Sequence, residues 1–172
     1  MLEIRTILHP TDFSDCSRLA FQLAATLARE HGARLIVLHV KQTLGPRVAY
    51  GKALAQLQPE EYQEWLRKIL ARFDVSNNRV QVEHRLSEGN AANEILGVAR
   101  ETMCDIIVMG THGRTGLDRL VLGSVSDVVL RQAPCPVVTV KVPGRLSTSG
   151  HQHREAASDL KSPGSQVVGA PQ

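Results

Sequence analysis

Short apolar runs rich in branched residues recur along the chain at residues 6–9, 34–40, 80–86, 105–109 and 137–142, with helix-period segments between them. This alternation predicts a parallel sheet covered by helices. The first helical segment, residues 14–31, carries Leu19, Leu23 and Leu27 at fourfold spacing with Ala20 and Ala24 beside them, and Gly32 stops it. A second begins near Pro59 and Glu60 and directs Trp65, Leu66, Ile69 and Leu70 to one face, fading near Phe73. A third runs from Asn90, a suitable N-cap, to Thr102, with Ile95, Val98 and Ala99 toward the sheet. A fourth starts at Ser124, where Ser124 and Asp127 have capping-box spacing, and ends before Pro134.

Residues 41–58 form a connection longer than usual, broken by Gly45, Pro46 and Gly51, and long connections of this kind often cover sites. Beyond Pro143 the composition shifts to Ser, Gly, His, Gln and Ala without apolar periodicity. Such a composition does not offset the entropy of ordering, so residues 144–172 are expected to be a disordered tail after a domain spanning 1–143.

The most informative segment is Met109-Gly110-Thr111-His112-Gly113-Arg114, followed by Gly123-Ser124-Val125. It leaves an apolar strand, passes through glycines that permit close main-chain approach, and enters a helix whose N-terminal amides favour an anion. Arg114 adds a positive charge. The spacing is neither Walker A, which needs Gly-Lys-Ser/Thr, nor the Gly-x-Gly of a dinucleotide fingerprint. The pattern Gly-x2-Gly-x9-Gly-Ser, with Pro10-Thr11-Asp12-Phe13-Ser14 near the start and Ala133-Pro134-Cys135-Pro136-Val137-Val138 near the end, resembles the ATP-binding branch of the universal stress protein family. The resemblance extends over residues 1 to 143.

That resemblance implies an open five-stranded parallel α/β sheet of order 3-2-1-4-5, Rossmann-like, with helices on both faces. No strand order is readable from the sequence directly, but right-handed crossovers restrict the choices, and the two motifs, which follow the first and fourth strands where a 3-2-1-4-5 sheet reverses its winding, support that order. The resemblance further implies ATP, with Mg2+, as ligand. It places adenosine at Pro10, Thr11 and Asp12 and at the strand end near Val40, whose main chain would read the adenine edge. Ribose and phosphates then fall to Met109, Gly110, Gly113, Gly123 and Ser124, while Thr111, His112, Arg114 and Val125 are nominated by proximity. It also implies a homodimer through the last strand, from Val137 to Val142, because this edge would leave unpaired backbone groups.

Composition narrows the alternatives. A chain of 172 residues, 42% hydrophobic and 22% charged, fits one domain with some excess. A net charge of +3, with positive and negative residues interspersed, gives no basic patch, so nucleic acid is not the expected partner. No apolar run reaches the ~18 residues that span a bilayer, and no signal peptide is evident, so a cytoplasmic location is the expectation. Cys16, Cys104 and Cys135 are odd in number and lack Cys-x-x-Cys spacing, which predicts reduced and mostly buried thiols. His9, His39 and His84 lie on different strands without metal-ligand spacing.

No Gly-x-Ser-x-Gly elbow is present, Arg85-Leu86-Ser87-Glu88 replaces a receiver's phosphoacceptor, and no base-plus-carboxylate set completes a kinase site. The expectation is therefore a protein acting by nucleotide-dependent binding in stress response or signalling, with the 41–58 connection presented to an unidentified partner. A slow ATPase or adenylyl-transfer enzyme, with Arg114 on the transferred phosphate, and a nucleotide-free dimeric adaptor are the alternatives.

Overall fold

In chain order the elements are β1 (Thr6–Pro10), α1 (Asp15–His31), β2 (Arg34–Lys41), α2 (Pro59–Leu70), β3 (Val82–Glu88), α3 (Ala91–Thr102), β4 (Ile106–Gly110), α4 (Ser124–Gln132) and β5 (Val137–Val140). The structure, a computed structural model, describes residues 3–41, 59–75, 80–111 and 123–142. The strands form one parallel sheet of order β3-β2-β1-β4-β5. All five predicted strands are present, with ends displaced by one or two residues. Most of the 41–58 connection and the whole of 143–172 lie outside the described residues.

Period-two alternation divides the core into two layers. Ile7, Leu35, Val37, Ile106 and Val108 join Ala20, Ala24 and Ala28 of α1, together with Leu70 and Phe73. Leu8, Ile36, Leu38, Ile107 and Met109 join Ile95, Val98 and Ala99 of α3 and Val129 of α4. The central strands are thus covered on both faces, as their continuous apolar sequences require. Each fully buried Leu or Ile contributes about 1.5–3 kcal/mol of transfer free energy.

Three packing expectations are corrected. Leu19 and Leu23 do not face the sheet; they are 36% and 38% exposed, and the adjoining alanines, Ala20, Ala24 and Ala28, are fully buried instead. Small side chains let the α1 backbone approach β4, which bulky leucines would prevent. On α2, Tyr62 and Leu66 are buried while Trp65 is half-buried and stacked on Tyr62, with centroids 6.0 Å apart. At α4 the N-cap is Gly123, with no side-chain cap bond, and Ser124 is the first helical residue rather than the cap.

The caps at Asn90 and Gly32 follow the sequence, while at the start of α1, where Asp12, Ser14 and Asp15 are all capping residue types, the structure selects Ser14. Ser14 caps α1 by accepting from Ser17 N, and Asn90 caps α3 by accepting from Asn93 N. Gly32 closes α1 at φ 63°, a left-handed conformation open to glycine at little cost.

Strand β5 is an edge, and its two sides are distinguishable. The Pro136 carbonyl accepts from Ile107 N at 3.0 Å and the Val140 carbonyl from Thr111 N at 2.9 Å. In a parallel ladder the N–H and C=O of one residue face the same side, and successive residues alternate. Val138 therefore faces β4, and Thr139 presents its N–H and C=O to the outside.

Candidate functional site

The sheet reverses its winding between β1 and β4, and both strands end at the same edge. After β1, Thr11 N donates to Leu38 O at 2.8 Å, which ties the departing chain to β2. The buried Thr11 hydroxyl accepts from Ser17 Oγ at 2.7 Å and from Phe13 N at 3.1 Å. Asp12 Oδ1 accepts from Ser14 N at 3.1 Å and from Ser14 Oγ at 2.6 Å, and Ser14 Oγ in turn accepts from Ser17 N. Asp12 is thus not the helix cap but the residue that orients it. Its Oδ2 takes no part in these bonds. Between Asp12 and Ser14, Phe13 has φ 66° and stacks on His39 with centroids 4.3 Å apart. A non-glycine residue in this conformation stores backbone strain, and such strain concentrates at binding sites.

After β4, Gly110 lies against the first turn of α1. A Cβ added there would meet the Cys16 carbonyl carbon, Cys16 Sγ and Ser17 N, each at 3.2 Å. The Gly110 carbonyl accepts from Ser126 Oγ at 3.0 Å, so α4 is fastened to the end of β4. Thr111 O accepts from Gly123 N at 2.9 Å, which brings the uncapped start of α4, at Ser124 and Val125, beside the strand end. Cys16 Sγ lies 3.9 Å from Thr111 Oγ1 and donates to Val140 O at 3.0 Å, joining the α1 side of the crevice to β4 and β5.

Pro10, Thr11, Asp12, Met109, Gly110, Gly123, Ser124 and Val125 therefore sit on two neighbouring strand ends. Met109 is a core residue, 5% exposed, and Gly110 has a packing role in addition to any contact with a ligand. Val40 is half-buried near the end of β2, two residues beyond Leu38, the last partner of β1. His112, Gly113 and Arg114 lie outside the described residues.

The three strand histidines are structural. His9 Nδ1 donates to Val108 O, His39 Nδ1 to Thr11 O, both at 2.8 Å, and His84 Nε2 to Phe73 O at 2.9 Å. Burial brings the His9 pKa down to about 4, against the bond to Val108 and the negative charge of Asp12. Among the described residues no cluster of three His, Cys, Asp or Glu is placed to hold a metal. Sequence reasoning missed the Thr11–Ser17 bond and the Phe13–His39 stack. The Thr-x5-Ser spacing on either side of a helix start was the available signal for the first. A separate groove of about 530 Å3 runs between β3 and α3, but its Arg85 is already paired with Glu83 and Glu101.

The comparisons with known proteins agree with this architecture. The sequence profile of the universal stress protein family matches residues 3–141, and the chain belongs to that family. The universal stress protein MJ0531 of Methanocaldococcus jannaschii is 37% identical over 143 residues, covering 81% of this chain and 83% of its own length. YxiE of Bacillus subtilis is 34% identical over 140 residues, covering 76% of this chain and 94% of its own. Among solved structures, MJ0577 superposes with a TM-score of 0.66 at 28% identity, covering 83% of this chain and 99% of that one. A universal stress protein in complex with cAMP superposes with a TM-score of 0.59 at 26% identity, covering 80% and 97%. No helix among the described residues is long and apolar enough to cross a membrane.

Proposed function

We propose that this universal stress protein binds ATP, with Mg2+, in the crevice between β1 and β4 and acts through nucleotide-dependent binding rather than turnover. One observation carries the reading. Asp12, with its Oδ1 engaged by Ser14, and the uncapped N-terminus of α4 arise from segments about a hundred residues apart and meet at one winding reversal. The carboxylate suits ribose hydroxyls through Oδ2, and the helix start suits a phosphate, at on the order of 0.3–2 kcal/mol for the helix dipole. Val40 lies two residues beyond Leu38, the last partner of β1, which supports the reading that main-chain groups at the end of β2 would read an adenine edge. By the family resemblance Gly113 would join the phosphate contact, and His112 and Arg114 are added by their proximity in the sequence. The complex of a similar protein with cAMP supports an adenine nucleotide as the ligand class.

Binding is favoured over catalysis in this reading because, among the described residues, the histidines beside the crevice, His9 and His39, are held on main-chain carbonyls in the interior. Neither is placed as a general base. We further propose a homodimer through the outer side of β5, whose Thr139 N–H and C=O would pair with the same strand of a second copy, and a cytoplasmic setting. Mass spectrometry of nucleotide released from freshly purified protein, with calorimetric titration of ATP, AMP and cAMP, tests the assignment. Saturable ATP binding is expected; its absence at millimolar ATP overturns the reading. Phosphate release should stay near background, and sustained turnover of about 1 per second, the common enzyme range, would favour an enzyme instead.

A further inference from the structure

Cys104 and Cys135 are 31 positions apart, yet their Sγ atoms lie 3.5 Å apart. Cys104 follows the C-cap of α3 and precedes β4; Cys135 lies between α4 and β5, flanked by Pro134 and Pro136. Cys104 is 5% exposed and Cys135 is half-buried, so one thiol of the pair is accessible to a small oxidant and the other waits behind it. The third cysteine, Cys16, is buried and bonded to Val140 O. The main chain is held on both sides of the contact, by the end of α3 at Cys104 and by β4 at Pro136, the residue after Cys135. Cys104 N donates to Ala99 O, and Pro136 O accepts from Ile107 N.

We propose that Cys104 and Cys135 form a reversible intramolecular disulfide on exposure to hydrogen peroxide, a modification site that staples the entry of β4 to the entry of β5. The Cys135 sulfur, as thiolate, attacks one peroxide oxygen; the O–O bond breaks, and the departing hydroxide takes a proton to leave as water. The resulting sulfenic acid is attacked by the Cys104 sulfur. The S–S bond forms, the S–O bond breaks, and the oxygen leaves as a second water carrying the Cys104 proton. Two thiols lose two electrons in all and the peroxide gains them.

The geometry favours this outcome over oxidation of Cys135 alone, because the resolving sulfur is already in van der Waals contact. Burial pushes both thiols up, so little thiolate is present at neutral pH and the pair responds slowly. That property suits a staple that stays reduced under ordinary cellular conditions. The closed ring runs through residues 105–134 and so holds β4, the glycine segment and α4. Ring closure restricts the unfolded chain, and the oxidised protein should melt about 5 °C or more higher than the reduced one.

The test is treatment of the full chain with hydrogen peroxide, alkylation after denaturation, and tryptic mapping. The expected product joins peptides 101–114 and 132–141, is lighter by two hydrogen atoms, leaves Cys16 in peptide 6–18 alkylated, and reverts with dithiothreitol. Its melting temperature should rise and fall back on reduction. In Cys104→Ala, or in Cys104→Ser, a sulfenic acid at Cys135 should become trappable by dimedone. Cys104 and Cys135 both still alkylated, sulfinic or sulfonic acid at Cys135 without a cross-link, or a disulfide joining two chains would each overturn the proposal. The wild-type measurement stands even where a variant fails to fold.

Discussion

Gly110 and Cys16 meet so closely that a Cβ on Gly110 would lie 3.2 Å from both the carbonyl carbon and the Sγ of Cys16. The first glycine of the phosphate-loop pattern is thereby also the point at which α1 rests on β4. Two requirements, a dense core and a site with main-chain access, fall on one residue, and they can be separated by experiment.

Gly110→Ala should lower stability by about 1–3 kcal/mol, the usual cost of overpacking, because the 3.2 Å contacts include backbone atoms that cannot swing away. Gly113→Val should instead leave the melting temperature within a few degrees and abolish ATP binding. Denaturant unfolding paired with calorimetry checks both. Equal stability loss in the two variants would show that Gly113 is a packing glycine as well.

Asp12→Ala should weaken ATP at least about tenfold, or roughly 1.4 kcal/mol, by removing the carboxylate proposed to bind the ribose. Ser14→Ala, which deletes the α1 cap and one bond to Asp12, should cost about 1 kcal/mol of stability and affect affinity less. Unchanged affinity in Asp12→Ala would leave Asp12 with only its role in orienting the helix start.

His9 makes stability dependent on pH in a defined window. Its folded pKa of about 4 lies below its ordinary value of 6.5, so the unfolded chain binds the proton more readily. The stability associated with neutral His9 is fully present above pH 6.5 and is lost as pH falls toward 4, by up to about 3 kcal/mol. Urea unfolding from pH 7 to 4 should show this slope, and His9→Asn should flatten it while lowering stability at neutral pH.

Thr139→Pro should convert the proposed dimer to monomer and leave the fold intact, since Thr139 N–H faces away from β4 and an edge strand tolerates proline there. Val138→Pro should unfold or strongly destabilise the chain, because its N–H is directed into the β4 ladder. Sedimentation velocity with circular dichroism separates these effects; a wild-type monomer at micromolar concentration would dispose of the β5 interface.

The sequence by itself determined the element order, the strand pattern, the caps at Asn90 and Gly32, and the two segments that define the candidate site. These are local properties: branched apolar runs, helix-terminal side chains and glycine spacing act over a few residues, and their signals survive in the linear chain. The order of the sheet came through the family resemblance, supported by right-handed crossovers and by two motifs that such an order brings to one winding reversal. Which face of α1 is buried was decided only in three dimensions. Leu19 and Leu23 are the more hydrophobic choice, but close packing of α1 on the sheet takes the small side chains Ala20, Ala24 and Ala28. The uncapped start of α4, the inward ladder side of Val138, the His9 environment and the Cys104–Cys135 contact likewise depend on partners far along the chain. Tertiary packing fixes such contacts through steric fit and hydrogen-bond geometry between segments, quantities that no local pattern of residues encodes.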